Sequence, residues 1–299
     1  MKAKLGIAPI AWSNDDLPEL GGDTPLETCL REAKQAGFAG VETGGKFPKK
    51  ADELGAVLDQ HGLKLVSGWY SGTLLDNDIE AEKDQVRGQL ELYAALGADC
   101  IFYGETAGTI QNKRDVALVN RRTLSEEDIK AYGKKLTAFA EFCADQRVPL
   151  AFHHHMATAI ETERDVDLLM AHTGPAVHLL HDAGHMAFAG GDPLALIEKH
   201  GSRIAHVHAK DIRADVINGL DRSKESFLDA VLKGAFTVPG DGALDFNTIV
   251  QRLADAGYEG WFVVEAEQDP VKAPPFEYAQ IGHRALTAAL AAAGYEWES

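Results

Sequence analysis

Residues 153–155 are three consecutive histidines, and they close the apolar run VPLAF. Imidazole ligates transition metals and moves protons near neutral pH. Three rings at the end of a strand-like run therefore point to metal binding, proton transfer or a polar rim. Similar side chains recur at other strand-like ends. VHLLHD ends at Asp182, with His185 three residues on, and RIAHVHAKD carries His206, His208, Lys210 and Asp211. GWFVVEAE ends in Glu265 and Glu267, GVE closes at Glu42, and Glu105 follows DCIFYG. Each alone has a plainer use, because a His or Asp at a strand end usually caps a turn or satisfies a backbone group. Together, several carboxylates meeting in one mouth would repel one another, and a divalent cation resolves that repulsion. Mixed imidazole and carboxylate ligands suit Mn²⁺, Co²⁺, Fe²⁺ or Zn²⁺ better than Ca²⁺.

Strand alternation sorts these residues by face. Ala151, His153 and His155 share one face, opposite Leu150, Phe152 and His154. Small Ala151 suits a crowded interior, so His153 and His155 are expected to point inward and His154 to serve packing. His206, His208 and Lys210 share a face, as do Val263, Glu265 and Glu267.

The elements that must carry these side chains alternate along the whole chain. Strand-like segments at 4–12, 40–42, 63–70, 99–104, 148–155, 177–182, 203–211 and 260–267 are each followed by a helical pattern. Helix starts are marked by Thr24-Pro25, by Ser125-x-x-Asp128 and by Asp192-Pro193, which fit N-cap, capping-box and N1 chemistry. Eight such units predict an α/β fold, a single closed (β/α)₈ TIM barrel over residues 1–299, whose active site gathers at the C-terminal strand ends. No GxGxxG follows the first strand, which argues against a dinucleotide-binding open sheet. Long connections at 106–124 and 212–245 are expected to be functional.

Composition narrows the class further. The 299 residues are 45% apolar and 25% charged, with 29 basic and 46 acidic side chains and a net charge of −17. That charge opposes binding to nucleic acid. No apolar run approaches the roughly 20 residues of a membrane span, and the N-terminus turns polar too soon for a signal peptide. Three scattered cysteines fit a reduced, cytoplasmic setting. The smooth terminal helix RALTAALAAAG could pack against a second copy, so a homo-oligomer is an open expectation.

The stretches HDAGH, HVHAKD and GYEGWFVVEAEQDP resemble the metal-dependent sugar isomerase-like barrels, which include xylose isomerase-like enzymes, ketose 3-epimerases and endonuclease IV. GIAPIAWSNDDLPELGG, HHHMATAIET and FTVPGDGALDF resemble more closely the inosose dehydratase family of inositol catabolism, across essentially the whole chain. The resemblance implies one divalent metal, Mn²⁺ or Co²⁺, held by His153, Asp182, His208 and Glu265. His153 stands where relatives carry a glutamate, His155 is the second choice for that place, and a three-ligand site completed by water is the third. It implies dehydration of a small cyclic polyol ketone, 2-keto-myo-inositol, with Glu265 or His155 as the base. Glu42, His185, Lys210 and Trp69 are expected around the substrate, and Trp12 is a further candidate wall. Lys210 could instead pair with Asp211. Glutathione is associated with the family, although no motif marks a site for it. A ketose isomerase or epimerase, and a non-catalytic polyol-binding protein, are the competing readings.

Overall fold

A computed structural model describes residues 1–298. Its centre is a closed parallel barrel. Strands β1 (Lys2–Ile7), β2 (Gly40–Thr43), β3 (Lys64–Gly72), β4 (Ile101–Glu105), β5 (Leu150–His153), β6 (Val177–Asp182) and β7 (Ile204–Ala209) pair in sequence order. After the short strands β8 (Asp211–Ile212) and β9 (Phe236–Thr237), β10 (Gly260–Val264) pairs with both β7 and β1 and closes the ring. A last strand, β11 (Glu296–Glu298), pairs with β1 outside it.

Helices α1 (Leu26–Gln35), α2 (Ala51–His61), α3 (Ile79–Leu96), α4 (Glu126–Asp145), α5 (Glu163–Ala171), α6 (Ala183–Phe188) and α7 (Pro193–His200) surround the first part of the barrel. The short helices α8 (Ala214–Asn218) and α9 (Phe227–Leu232) lie in the long excursion after β7, and α10 (Phe246–Asp255) and α11 (Pro275–Ala292) complete the set. Ser125 with Asp128 and Thr162 with Asp165 form capping boxes that fix where α4 and α5 begin. Several strand ends fall a few residues from the sequence expectation, β5 ending at His153 and β10 at Val264, and two differences have a backbone cause. Residues 9–11 turn into a 3₁₀ segment instead of continuing β1, because Pro9 has no N–H for the ladder. Helix α1 starts at Leu26, with Pro25 itself in extended conformation at the cap.

Inside the barrel, apolar layers lie beneath the polar strand ends. Trp261, Val263, Val66 and Ala8 pack together, as do Phe102, Ala151, Leu180 and Cys100. Trp261 fits because β2 has glycine beside it: a Cβ on Gly40 would stand 2.7 Å from the indole. A separate apolar cap covers part of the C-terminal mouth. It joins Leu17, Ile110, Met156, Phe188, Phe227 and Phe236 from five different connections. The β8–β9 ribbon anchors this cap, and Asp211 Oδ1 pins its base by accepting from the N–H groups of Ile212 (2.7 Å) and Leu244 (2.9 Å). A side chain at Gly242 would collide with that carboxylate.

Glu105 ends β4 but does not enter the mouth. Its carboxylate accepts from Tyr103 OH (2.9 Å) and from the N–H groups of Ala107 (3.0 Å) and Leu75 (3.3 Å). Burial pushes its pKa from 4.5 up to about 7 against those hydrogen bonds. The raised folded-state value means that the folded protein holds this proton more tightly than the unfolded chain. The associated stability is present below pH 4.5 and is lost as pH rises through 7, by on the order of 3 kcal/mol. Glu105→Gln should remove this dependence. In urea unfolding between pH 5 and 8, the variant should gain on the parent as pH rises, whereas a pH-independent difference would contradict the assignment.

Candidate active site

Asp182, at the end of β6, uses its two oxygens differently. Oδ1 caps α6 by accepting from His185 N–H at 2.8 Å. Oδ2 is left facing the barrel axis, 3.2 Å from His153 Nε2, 3.5 Å from His208 Nδ1 and 3.6 Å from Lys210 Nζ. His208 is the register partner of both Asp182 and Val263, which brings Glu265, two residues further on, to 3.7 Å from His208 Nδ1. On its other side, His208 Nε2 lies 3.2 Å from Glu42 Oε1. The same oxygen accepts from Ser67 Oγ (2.7 Å) and lies 2.8 Å from His206 Nε2. A carboxylate only accepts, so Glu42 keeps a His208 proton on Nε2, and Nδ1, which faces Asp182 and Glu265, is the nitrogen that could ligate an ion once its own proton is displaced.

Lys210 is fully buried. Its ammonium sits 2.5 Å from Glu265 Oε2 and 2.7 Å from Glu267 Oε2, and it donates to His185 Nε2 at 2.8 Å. It also lies over the Phe236 ring. Asp211 takes no part, being turned into the ribbon. Lys210 and His185 do not line the cavity, so both stand behind its wall. Trp69 does line it, its ring edge-on to His153 and His155. Trp12 is instead a core side chain whose indole N–H donates to Glu32 (2.7 Å).

The cavity has a volume of about 430 Å³. His153, His155, Glu42, Glu265 and Glu267 all reach it, whereas His154 is fully buried outside it with neither ring nitrogen hydrogen-bonded. His155 lies past the end of β5, and its Nδ1 is 2.7 Å from the Met156 carbonyl. A carbonyl only accepts, so Nδ1 carries the proton and Nε2 offers its lone pair, 3.6 Å from Glu267 Oε1. The cap closes over this corner, with Phe227 against His155 and Phe236 against His185. Sequence reading passed over Ser13, Asp16, Thr109, Gln111 and Asn112, which also line the cavity. Their only signal was position, in the loops after the first and fourth strands.

The electrostatics favour positive charge at the centre. Burial opposes charge on His208, but Glu42 and Glu265 outweigh it and push its pKa up to about 10. Burial raises Glu265 to about 7, with Lys210 opposing. For Asp182 burial also acts upward, yet Lys210 and His185 hold it well below the carboxylate range. The carboxylates of Glu42, Asp182, Glu265 and Glu267 thus face only one ammonium and the His208 ring, so without a metal ion the centre draws protons onto His208 and Glu265. His153 Nε2, Asp182 Oδ2 and His208 Nδ1 lie within 4.8 Å of one another, and the mixed nitrogen and oxygen donors suit a divalent cation. A second group, His155, His185 and Glu267, is equally compact, but Lys210 already donates to two of its members.

A closed barrel with this constellation at its C-terminal rim is the architecture of a xylose isomerase-like enzyme. The family model described as a xylose isomerase-like TIM barrel matches residues 30–289. The chain is 50% identical to the rhizopine catabolism protein MocC of Rhizobium meliloti, over 100% of its own length and 92% of that relative. It is 43% identical to an inosose dehydratase of Geobacillus thermodenitrificans, over 93% of this chain and 94% of the other. Among solved structures, a zinc-bound IolI protein superposes with a TM-score of 0.67 at 16% identity, covering 97% of this chain and 98% of that one. The chain belongs to the inosose dehydratase family, and it is a hydro-lyase.

Replacing the buried ammonium leaves its carboxylates without a counter-charge, and breaking such a pair typically costs about 3–5 kcal/mol. Lys210→Met should therefore lower the unfolding free energy, measured by urea titration in chelator, by about 3–5 kcal/mol, with a corresponding fall in the midpoint. A midpoint equal to the parent's would refute the role of Lys210 as the counter-ion.

Proposed function

We propose that the protein is a divalent-metal-dependent dehydratase that converts 2-keto-myo-inositol to a trihydroxycyclohexane-1,2-dione and water. His153, Asp182, His208 and Glu265 would hold the ion, Mn²⁺ or Co²⁺. Bound there, it would supply Lewis acidity to the ketone oxygen. His155 takes the proton beside the ketone on Nε2, and Glu267 stabilises the imidazolium that results. The electron pair of the broken C–H bond becomes a C=C bond as the β-hydroxyl departs, and His155 returns the proton to it as water. The remaining enol tautomerises to the dione. Glu42 holds His208 in its ligating tautomer, and Trp69 walls the ring. Glutathione has no residue assigned to it in this proposal.

The observation that supports this reading is the His155 ring, whose Nδ1 proton is held by the Met156 carbonyl and which lines the same cavity as the cation-attracting cluster. Dehydration needs one such group, whereas epimerisation moves a proton between two faces and needs two matched bases. The cavity also favours an uncharged substrate. Asp15, Asp16, Glu42, Glu265 and Glu267 line it, and no Lys or Arg is among its described lining residues, so a phosphorylated sugar would meet repulsion.

Chelator treatment should abolish dione formation, and Mn²⁺ or Co²⁺ should restore it; full turnover in metal-free protein would sink the mechanism. In deuterated water, exchange into a ketose with an epimeric product and no loss of water would favour the isomerase alternative. A further measurement separates neighbouring histidines. His153→Ala should weaken metal binding in calorimetric titration by more than about 100-fold, while His154→Ala should lower stability and leave metal affinity nearly intact. The reverse order would refute the ligand set.

A further inference from the structure

Asp16 and Gln111 are left unused by the chemistry above. Asp16 stands in the loop after the 3₁₀ segment and Gln111 in the connection after β4, and both line the cavity beside Ser13, Thr109 and Asn112. Gln111 Nε2 donates to Asp16 Oδ2 at 3.3 Å, joining two loops far apart in sequence.

Both residues are held from behind, Asp16 by its main chain and Gln111 by main chain and side chain. Buried Asn14 accepts from the N–H groups of Asp16 (2.8 Å) and Leu17 (3.0 Å) through Oδ1. Thr109 Oγ1 donates to Gln111 Oε1 and accepts from Gln111 N–H, both at 3.3 Å. In each case the adjacent residue is an apolar peg in the cap, Leu17 beside Asp16 and Ile110 beside Gln111. Ile110 N–H also donates to the Ala157 carbonyl at 3.1 Å. The two polar tips are therefore set in place before any ligand arrives.

Their chemistry selects a partner class. Burial raises the pKa of Asp16 against the nearby His155 ring and the Gln111 amide, its one side-chain donor, with Glu267 and Asp15 adding to the rise. A carboxylate so poorly supplied with donors gains from neutral O–H groups and repels anions. The amide beside it offers both a donor and an acceptor. Two hydroxyls on adjacent ring carbons match that pair, one donating to Asp16 and its neighbour exchanging hydrogen bonds with Gln111. In a six-membered polyol ketone, dehydration engages three ring carbons, and the other three carry hydroxyls that take no part.

We infer that Asp16 and Gln111 form a fork that grips a vicinal diol on the non-reacting part of the ring and sets specificity for a fully hydroxylated substrate. This rests on the polyol-ketone reading above. The test uses metal-loaded protein, the isosteric Asp16→Asn and the bulk-conserving Gln111→Met, with inosose and an analogue lacking the two non-reacting vicinal hydroxyls. Each variant should shrink the preference for inosose over the analogue, measured as the ratio of kcat/KM, by about 10- to 100-fold, mainly through KM. Losses equal on both substrates, no loss, or a loss confined to kcat would overturn the fork. Calorimetric binding of unreactive myo-inositol tests it separately from turnover. If the parent binds myo-inositol but dehydrates no inosose, the proposed reaction fails. The fork still stands if Asp16→Asn weakens that binding about tenfold. Equal affinity, or no binding by either protein, overturns it.

Discussion

A lysine ammonium with no access to water is the constraint around which this barrel mouth is organised. Lys210 contributes one positive charge, and three carboxylates from β6 and the end of β10 converge on it. Charges taken out of water persist only when paired and hydrogen-bonded. That requirement fixes Glu265 and Glu267 relative to Asp182 and places His185 at the fourth side of the ammonium. Because the pairing stays incomplete in charge, the centre retains an appetite for a cation. The same arrangement therefore holds the rim together and leaves the negative site that the proposed ion would fill.

The barrel was legible from the sequence because each of its signals is local. Short apolar runs, N-cap residues and glycine stops recur with the spacing of strand and helix, and buried parallel strands read as continuous apolar runs. Positions on the strands were also legible, since alternation carries His206, His208 and Glu265 to one side. What alternation does not carry is partnership. That Glu42 would stand behind His208, or that Lys210 would turn from Asp211 to Glu265 and Glu267, depends on barrel stagger and on side chains from strands distant in sequence. Trp12 illustrates the limit: an aromatic near a strand end reads the same whether it faces a ligand or, as here, packs in the core with its N–H on partly buried Glu32 of α1. Asp16 and Gln111 were illegible for another reason, because loop residues follow no period and their placement comes from tertiary pegs.

Rigidity and chemistry are divided between two regions. The strands present ligands on a frame closed by main-chain hydrogen bonds, and the cap supplies apolar cover at one corner. Phe227 and Phe236 press on His155 and His185 from an excursion that is not part of the barrel. Excluding water from that corner strengthens the electrostatic interactions around Glu267, so the cap contributes to reactivity without offering a reactive group.

Met156 shows how closely these regions are joined. Its carbonyl receives the His155 ring proton, and its own amide points at His185 Nδ1 at 3.3 Å. Its side chain, meanwhile, belongs to the apolar cap. One residue thus fixes the His155 tautomer through its carbonyl and lies against His185 through its amide. A change in the composition of the cap can therefore shift both rings through the torsion angles of that residue, with no ring itself replaced.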